Sequence, residues 1–192
     1  PTVRAMATVA GNLCNAAPSA DLVPALIVLG AKARIESLRW QQSVPVEDLF
    51  LGPGKTVLQP GEMITEIEVP APPGHSGASY LKQKRGAGAD LAVAGAAARV
   101  VLSQSIIQDV RIALSAVAPT PLRARRAEEL LRGKIPGADL LGEAGRIAVG
   151  ECSPIDDARA SADYRRKLVA ALVPRTLQAA VERAQAGRPD EN

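Results

Sequence analysis

The first residues with types and spacing suited to chemistry lie between Thr8 and Asp21: Thr8-Val9-Ala10-Gly11-Asn12, then Asn15, Pro18, Ser19 and Asp21. A glycine-containing turn that runs into a helix start presents backbone N–H groups and partial positive charge, which together suit a phosphate or pyrophosphate. Gly11 lets the backbone approach a ligand closely, and Thr8 and Asn12 add short polar side chains at the turn. Read from the residues alone, this is an anion-friendly turn. The single histidine, His75, sits in a Pro/Gly-rich stretch far from any Ser–Asp arrangement and reads as a surface residue. No catalytic nucleophile, acid or base and no metal-ligand spacing stands out.

The elements that must position these groups follow from periodicity. Alternation from Met6 to Val9 predicts a strand feeding the turn, and Ser19 is expected to cap a helix to Leu29 with Asp21 in its first turn. Extended segments are predicted at Lys32–Leu38, Trp40–Val46 and Met63–Val69, separated by the Gly52-Pro53-Gly54 and Pro60-Gly61 turns. Pro70 to Gly77 divides the chain. Beyond it, strands are expected at Ala78–Lys84, Leu91–Leu102 and Ile106–Val117, then helices at Arg123–Leu131, Ala138–Glu151 and Ser161–Ala186. Residues 1–70 and 78–187 thus read as two domains joined by a 71–77 linker, with 188–192 as a tail. The fold class is α+β, the second domain being a three-stranded antiparallel sheet packed with a small helical bundle.

Composition narrows the functions. With 47% hydrophobic but only 2% aromatic residues, the core rests on Ala, Val, Leu and Ile, and no ring platform for stacking nucleic-acid bases exists. A net charge of +3 from 23 basic and 20 acidic residues does not mark a polyanion-binding surface. Arg123, Arg125 and Arg126 beside Glu128 and Glu129 read as a solvated helix face. Cys14 and Cys152 are expected to be reduced, mostly buried thiols that carry no iron–sulfur cluster. There is no apolar run of about 18 residues and no visible signal peptide, so neither a membrane span nor export is expected, and the chain reads as cytoplasmic.

Thr8-Val9-Ala10-Gly11-Asn12 with Asn15, Pro18 and Asp21 resembles the second FAD-binding segment of the flavoprotein subunits of molybdenum hydroxylases, a family that includes carbon monoxide dehydrogenase medium subunits and xanthine dehydrogenase flavin domains. Ala10 stands where the family has a first glycine, which is tolerable if its φ stays negative. Further stretches resemble the same family in order: Phe50 to Thr56, Leu58 to Pro70, Tyr80-Leu81-Lys82 with Arg85 and Asp90-Leu91-Ala92, Ala118 to Arg123, and Asp156 to Arg166. The family's amino-terminal FAD subdomain has no counterpart. Either a separate chain supplies it or this chain is a fragment.

The resemblance implies an oxidoreductase subunit that binds FAD and passes electrons from [2Fe-2S] clusters to NAD or a quinone-type acceptor. The iron–sulfur clusters are expected on a small partner subunit and the molybdenum cofactor on a large one. On this chain Thr8, Val9, Ala10, Gly11 and Asn12 would meet the pyrophosphate and ribityl chain, and Asp21 would accept from flavin hydroxyls. Ile64 would pack on the ring edge, Lys82 would place a cation near the ring, and Glu62 would orient a turn. The Gly-rich loop Lys84–Ala89 would gate the oxidant. Two other readings are a free-standing FAD oxidoreductase and a truncated scaffold that binds no flavin.

Overall fold

The computed structural model describes residues 5–86 and 90–187. Its first half opens with helix α1 (Val9–Cys14) and helix α2 (Val23–Leu29). These share an apolar core with strands β1 (Lys32–Glu36), β2 (Gln41–Pro45) and β5 (Met63–Glu68), an antiparallel sheet ordered β2-β1-β5. A 3-10 turn (Val46–Asp48) leads into a small ribbon of β3 (Phe50–Gly52) and β4 (Lys55–Thr56). Alternation decides which side of β1 is buried: Ala33 and Ile35 point in while Lys32 and Arg34 point out. Leu13, Val23, Ile27, Ile35, Val46 and Leu49 build this first core.

The second half is a sheet ordered β6-β7-β8-β9, with β6 (Ser76–Gln83), β7 (Ala94–Ser103), β8 (Ile106–Ser115) and β9 (Leu122–Arg123). The expected three antiparallel strands are present, and two-residue β9 extends the edge at the start of the span assigned to the first helix. Helices α3 (Arg125–Leu131), α4 (Ala138–Val149) and α5 (Ala162–Ala186) cover one face. Ser161 caps α5, its hydroxyl accepting from Tyr164 N at 3.2 Å. No helix among the described residues is long and apolar enough to cross a membrane.

β7 is the seam between the two halves. Its sequence alternates small residues on both faces: Ala94, Ala96 and Ala98 join the helix-covered core, while Ala97 joins the first core together with Ala113 of β8. With so little side chain between them, α2 packs directly against β7 and β8 from one side and α5 against β6 and β7 from the other. Gly30 closes α2 in the left-handed region at φ 75°, and a Cβ there would meet the Arg111 guanidinium at 2.7 Å.

Two local expectations are corrected. Met6–Val9 is not a strand: Thr8 is extended (φ −120°, ψ 156°) and caps α1, which begins at Val9, its hydroxyl accepting from Gly11 N at 2.9 Å. Ser19 does not cap the next helix either, because Pro24 forbids it. A helix counted from Ser19 would put that ring in its fifth position, against a carbonyl four residues back, so α2 starts at Val23 with Pro24 in its first turn.

Candidate functional site

Thr8 fixes the first piece of the site. Gly11 serves at the third position of α1 and not in an open turn, since its N–H is taken by Thr8 Oγ1. The N–H groups of Val9 and Ala10 stand ahead of it in the first turn, where helix geometry gives them no intrahelical acceptor. Ala10 lies within α1 and is not among the residues with positive φ, so an alanine is accommodated there. Asn12 Oδ1 accepts from Leu22 N at 3.3 Å, tying α1 to the loop that carries Asp21.

Asp21 then meets a residue 61 positions away. Lys82, on β6, donates from Nζ to Asp21 Oδ2 at 2.6 Å and to the Asp90 carbonyl at 3.2 Å. The other carboxylate oxygen, Asp21 Oδ1, is buried and has no hydrogen-bond partner. The Thr8–Gly11, Asn12–Leu22 and Asp21–Lys82 contacts, joined by chain neighbours, form one polar trail from the first half to the second. The Lys82 charge is already matched by Asp21, so its first task is to hold that carboxylate. Ile64 lies elsewhere in the same half: it pairs with Ile35 across β5 and β1 and packs on the first core. Val9 is exposed at the outer side of α1.

Several participants were missed in the sequence. Asp90 organises the loop beside Lys82: its Oδ2 accepts from Gly86 N at 2.9 Å and its Oδ1 from Leu91 N at 2.8 Å, bonds that hold its carboxyl below the usual range. Tyr80, two residues before Lys82 and on the same face, brings a hydroxyl into the site, as does Ser115 of β8. Their only signal was membership in the matched stretch (Tyr80, Asp90) or none (Ser115). In the Lys84–Ala89 loop, residues 87–89 lie outside the described residues. Its stem is pinned by Arg85 Nη1 donating to the Ala158 carbonyl at 2.9 Å. Glu62 Oε2 accepts from Gln59 N at 2.9 Å, orienting the turn before β5. His75 is exposed.

Behind the site stands Arg165, 4% exposed on α5. Its Nη1 donates to the Val93 carbonyl at 2.6 Å and the Ala116 carbonyl at 2.9 Å, and its Nη2 to Asp157 Oδ1 at 2.7 Å. It walls a cleft of about 300 Å³ with Pro18, Ser19, Ala116 and Ser153. A larger cleft of about 710 Å³ lies away from the site, around Gly74, Gln104 and Gln108, and shares no residue with the polar trail. Asp157 is held down to about 2 by backbone N–H bonds from Arg159 and Ala160 and by the Arg165 guanidinium. A depressed carboxylate contributes stability that is present above the unfolded-state value near 3.8 and is lost as pH falls toward 2. Asp157→Asn is expected to flatten the acid limb of a stability–pH curve between about pH 4 and 2; an unchanged acid limb in chemical-denaturation titrations would contradict this.

The charge cluster read as a solvated face is solvated at Arg125, Arg126 and Glu129, whereas Arg123 and Glu128 turn inward. Glu128 is 1% exposed and accepts from Ile112 N at 2.8 Å, from Arg123 Nε at 2.8 Å and Nη2 at 2.9 Å, and from Arg132 at 3.3 Å. Arg123 also reaches Glu47 at 3.2 Å, as Arg125 does at 3.1 Å, so the pair clasps the two halves. Burial alone would lower the Arg123 guanidinium, but Glu128 and Glu47 outweigh it and hold it raised. Strand β9 explains the error: it turns Arg123 inward before α3 begins. Cys14 is also corrected, being exposed at the end of α1 while Leu13 is the buried neighbour, a one-residue step of about 100° around the helix. Cys152 is partly buried, and burial followed by the Glu151 charge pushes its thiol up to about 12.

Comparison with known proteins adds the following. Residues 1–72 match the model of the FAD binding domain in molybdopterin dehydrogenase, and residues 78–180 match that of the CO dehydrogenase flavoprotein C-terminal domain. The carbon monoxide dehydrogenase medium chain of Hydrogenophaga pseudoflava is 34% identical over 180 residues, covering 94% of this chain and 62% of that one. The putative xanthine dehydrogenase FAD-binding subunit of Escherichia coli K12 is 29% identical over 185 residues, covering 96% and 63%. A solved structure of the Hydrogenophaga pseudoflava carbon monoxide dehydrogenase superposes with a TM-score of 0.92 at 36% identity, covering 95% of this chain and 63% of that one. The chain thus spans a little under two thirds of the length of these relatives.

Proposed function

The chain belongs to the flavoprotein family of CO and xanthine dehydrogenases, and from that membership we propose that it forms part of the FAD pocket of a molybdenum–iron–sulfur–flavin dehydrogenase. The observation that carries the reading is the Asp21–Lys82 pair, in which a carboxylate is fixed at Oδ2 while its buried Oδ1 is left to accept from a donor. A carboxylate oxygen has two lone pairs, and a ribityl hydroxyl is a donor of the right kind for one of them. The first-turn N–H groups of Val9 and Ala10, together with the hydroxyl of Thr8 and the amide of Asn12, suit the pyrophosphate. Gly11 contributes no free N–H, and its lack of a side chain leaves room for the Thr8 hydroxyl, which a Cβ would approach to 2.9 Å. Ile64, packed on the first core, would meet the ring edge only through its partly exposed side.

Bound FAD would supply the redox chemistry that links [2Fe-2S] clusters of a small partner subunit to NAD or a quinone-type acceptor, and substrate oxidation would be the work of a large molybdenum subunit. This chain binds and orients the cofactor and docks the partners in the cytoplasm. The remaining wall of the pocket belongs to an amino-terminal subdomain like that of the family. Residues 1–70 would serve as the FAD-binding module and 78–187 as a second module, with 71–77 between them.

The test is flavin retention by the full-length protein assembled with its partners. Asp21→Asn is expected to weaken FAD binding by about 10- to 100-fold, the worth of a charge-assisted hydrogen bond. Lys82→Met, which leaves Asp21 unheld, should weaken it in the same direction. An assembled complex without flavin absorbance, or one whose FAD affinity ignores both variants, would overturn the reading in favour of a scaffold.

A further inference from the structure

Three buried oxygens without hydrogen-bond partners converge beside Lys82: Asp21 Oδ1, the Tyr80 hydroxyl and Ser115 Oγ. They come from three different elements, and the sheet register explains the meeting. Lys82 pairs with Gly95 and Gly95 with Ser115, so these three form one row across β6, β7 and β8, while Tyr80 stands in the next row on the same face. The central position of the row is a glycine for a geometric reason. A Cβ at Gly95 would lie 2.5 Å from Ser115 Oγ and 2.9 Å from the Tyr80 hydroxyl, so the two oxygens already fill the volume a side chain would take. Ser115 itself is fully buried. Isolated polar atoms are costly in such a place, and three of them together point to a purpose.

We propose that Tyr80 is a positioning residue for the flavin site, its hydroxyl donating to Asp21 Oδ1 and accepting from Ser115, with Gly95 keeping the space open. This rests on the reading of Asp21 as the acceptor of a flavin hydroxyl. A carboxylate oxygen has two lone pairs, so Oδ1 can take the Tyr80 proton and still accept from the ligand. Lys82 then fixes Oδ2 and Tyr80 fixes Oδ1, which leaves Asp21 one orientation. Tyr80 is suited to donate at all ordinary pH values, because burial and then the Asp21 charge push its hydroxyl up to about 12. The relay preorganises an acceptor that would otherwise rotate away from its ligand.

The experiment compares Tyr80→Phe, Ser115→Ala and Gly95→Ala with Asp21→Asn in the full-length assembled flavoprotein, measuring the affinity for FAD and, separately, for ADP, which lacks the ribityl chain. Tyr80→Phe is expected to lower FAD affinity about tenfold while leaving ADP affinity unchanged. Gly95→Ala, which removes no polar atom but displaces both hydroxyls, should reproduce that pattern and be non-additive with Tyr80→Phe. Should Gly95→Ala fail to fold, the non-additivity is read from Ser115→Ala with Tyr80→Phe. If Asp21→Asn weakens FAD but Tyr80→Phe does not, the relay is wrong and the flavin reading stands. Insensitivity of FAD affinity to both variants removes the flavin reading and the relay with it. Equal losses of FAD and ADP affinity in Tyr80→Phe would show a collapsed pocket and overturn the positioning role.

Discussion

Replacing Arg165 by Met is expected to destabilise the protein by about 3–5 kcal/mol, because two buried carbonyls lose their donor at about 1–3 kcal/mol each. Met matches the length of the apolar stem but supplies no donors. The Val93 and Ala116 carbonyls and the Asp157 carboxylate would lose their guanidinium together. Ala116 makes the loss worse. It occupies the left-handed region at φ 62°, a conformation unfavourable for a residue with a Cβ, and its N–H donates to the Pro18 carbonyl at 2.7 Å. Arg165 thus steadies the link that runs through Pro18 toward the Asp21 loop. A urea melt should show a midpoint shift of that size with an unchanged slope. Arg165→Lys restores a charge but not the fork that reaches two carbonyls and a carboxylate, so it should recover only part of the loss. A shift below about 1 kcal/mol for Arg165→Met, the size expected of an ordinary surface change, would show that the clamp is not structural.

A loss of similar size, about 3–5 kcal/mol, is expected for Glu128→Ala. Nearly every partner of that carboxylate is itself committed. Ile112 N has no other acceptor among the described bonds once Glu128 is gone, and among the described residues the partly buried Arg123 guanidinium keeps only Glu47. Glu128→Gln retains an acceptor for Ile112 N but leaves the arginines under-neutralised, so an intermediate loss is expected. Glu47→Gln separates two contributions. It weakens the clasp between the halves while leaving the Arg123–Glu128 pair intact, and a denaturation curve that splits into two transitions would reveal the halves unfolding separately. A midpoint for Glu128→Ala that matches the wild type would remove the buried network as a source of stability.

What the sequence disclosed depended on the kind of signal. Alternation located the strands because burial of one face imposes a period of two, as in Ala33 and Ile35 of β1. The long α5 was legible from its apolar spacing and the Gly187 that ends it, and the structure adds the Ser161 cap. The Asp21–Lys82 pair could not be read from spacing at all, since a separation of 61 positions carries no record of the turnings that bring them together. The ordered resemblance named the two residues separately, and their pairing emerged only in the structure. Ser19 was misread as a cap because its residue type suits one, although Pro24 fits a first turn only when the helix starts at Val23. Arg123 and Glu128 were taken for surface charges because composition describes neighbours along the chain, whereas their burial is decided by β9 turning under α3. Ser115 gave no signal, for a serine closing an apolar strand looks like any strand end.

The small residues of β7 have a further consequence for how this protein can change over generations. Ala94 to Ala98 face a helix on one side and another half of the molecule on the other, so an added methylene at any of them displaces a whole layer and not merely a neighbour. Drift is therefore confined to the sheet's margins, such as the outward side chains of β6. The innermost strand becomes a molecular fossil, its plainness enforced from both directions.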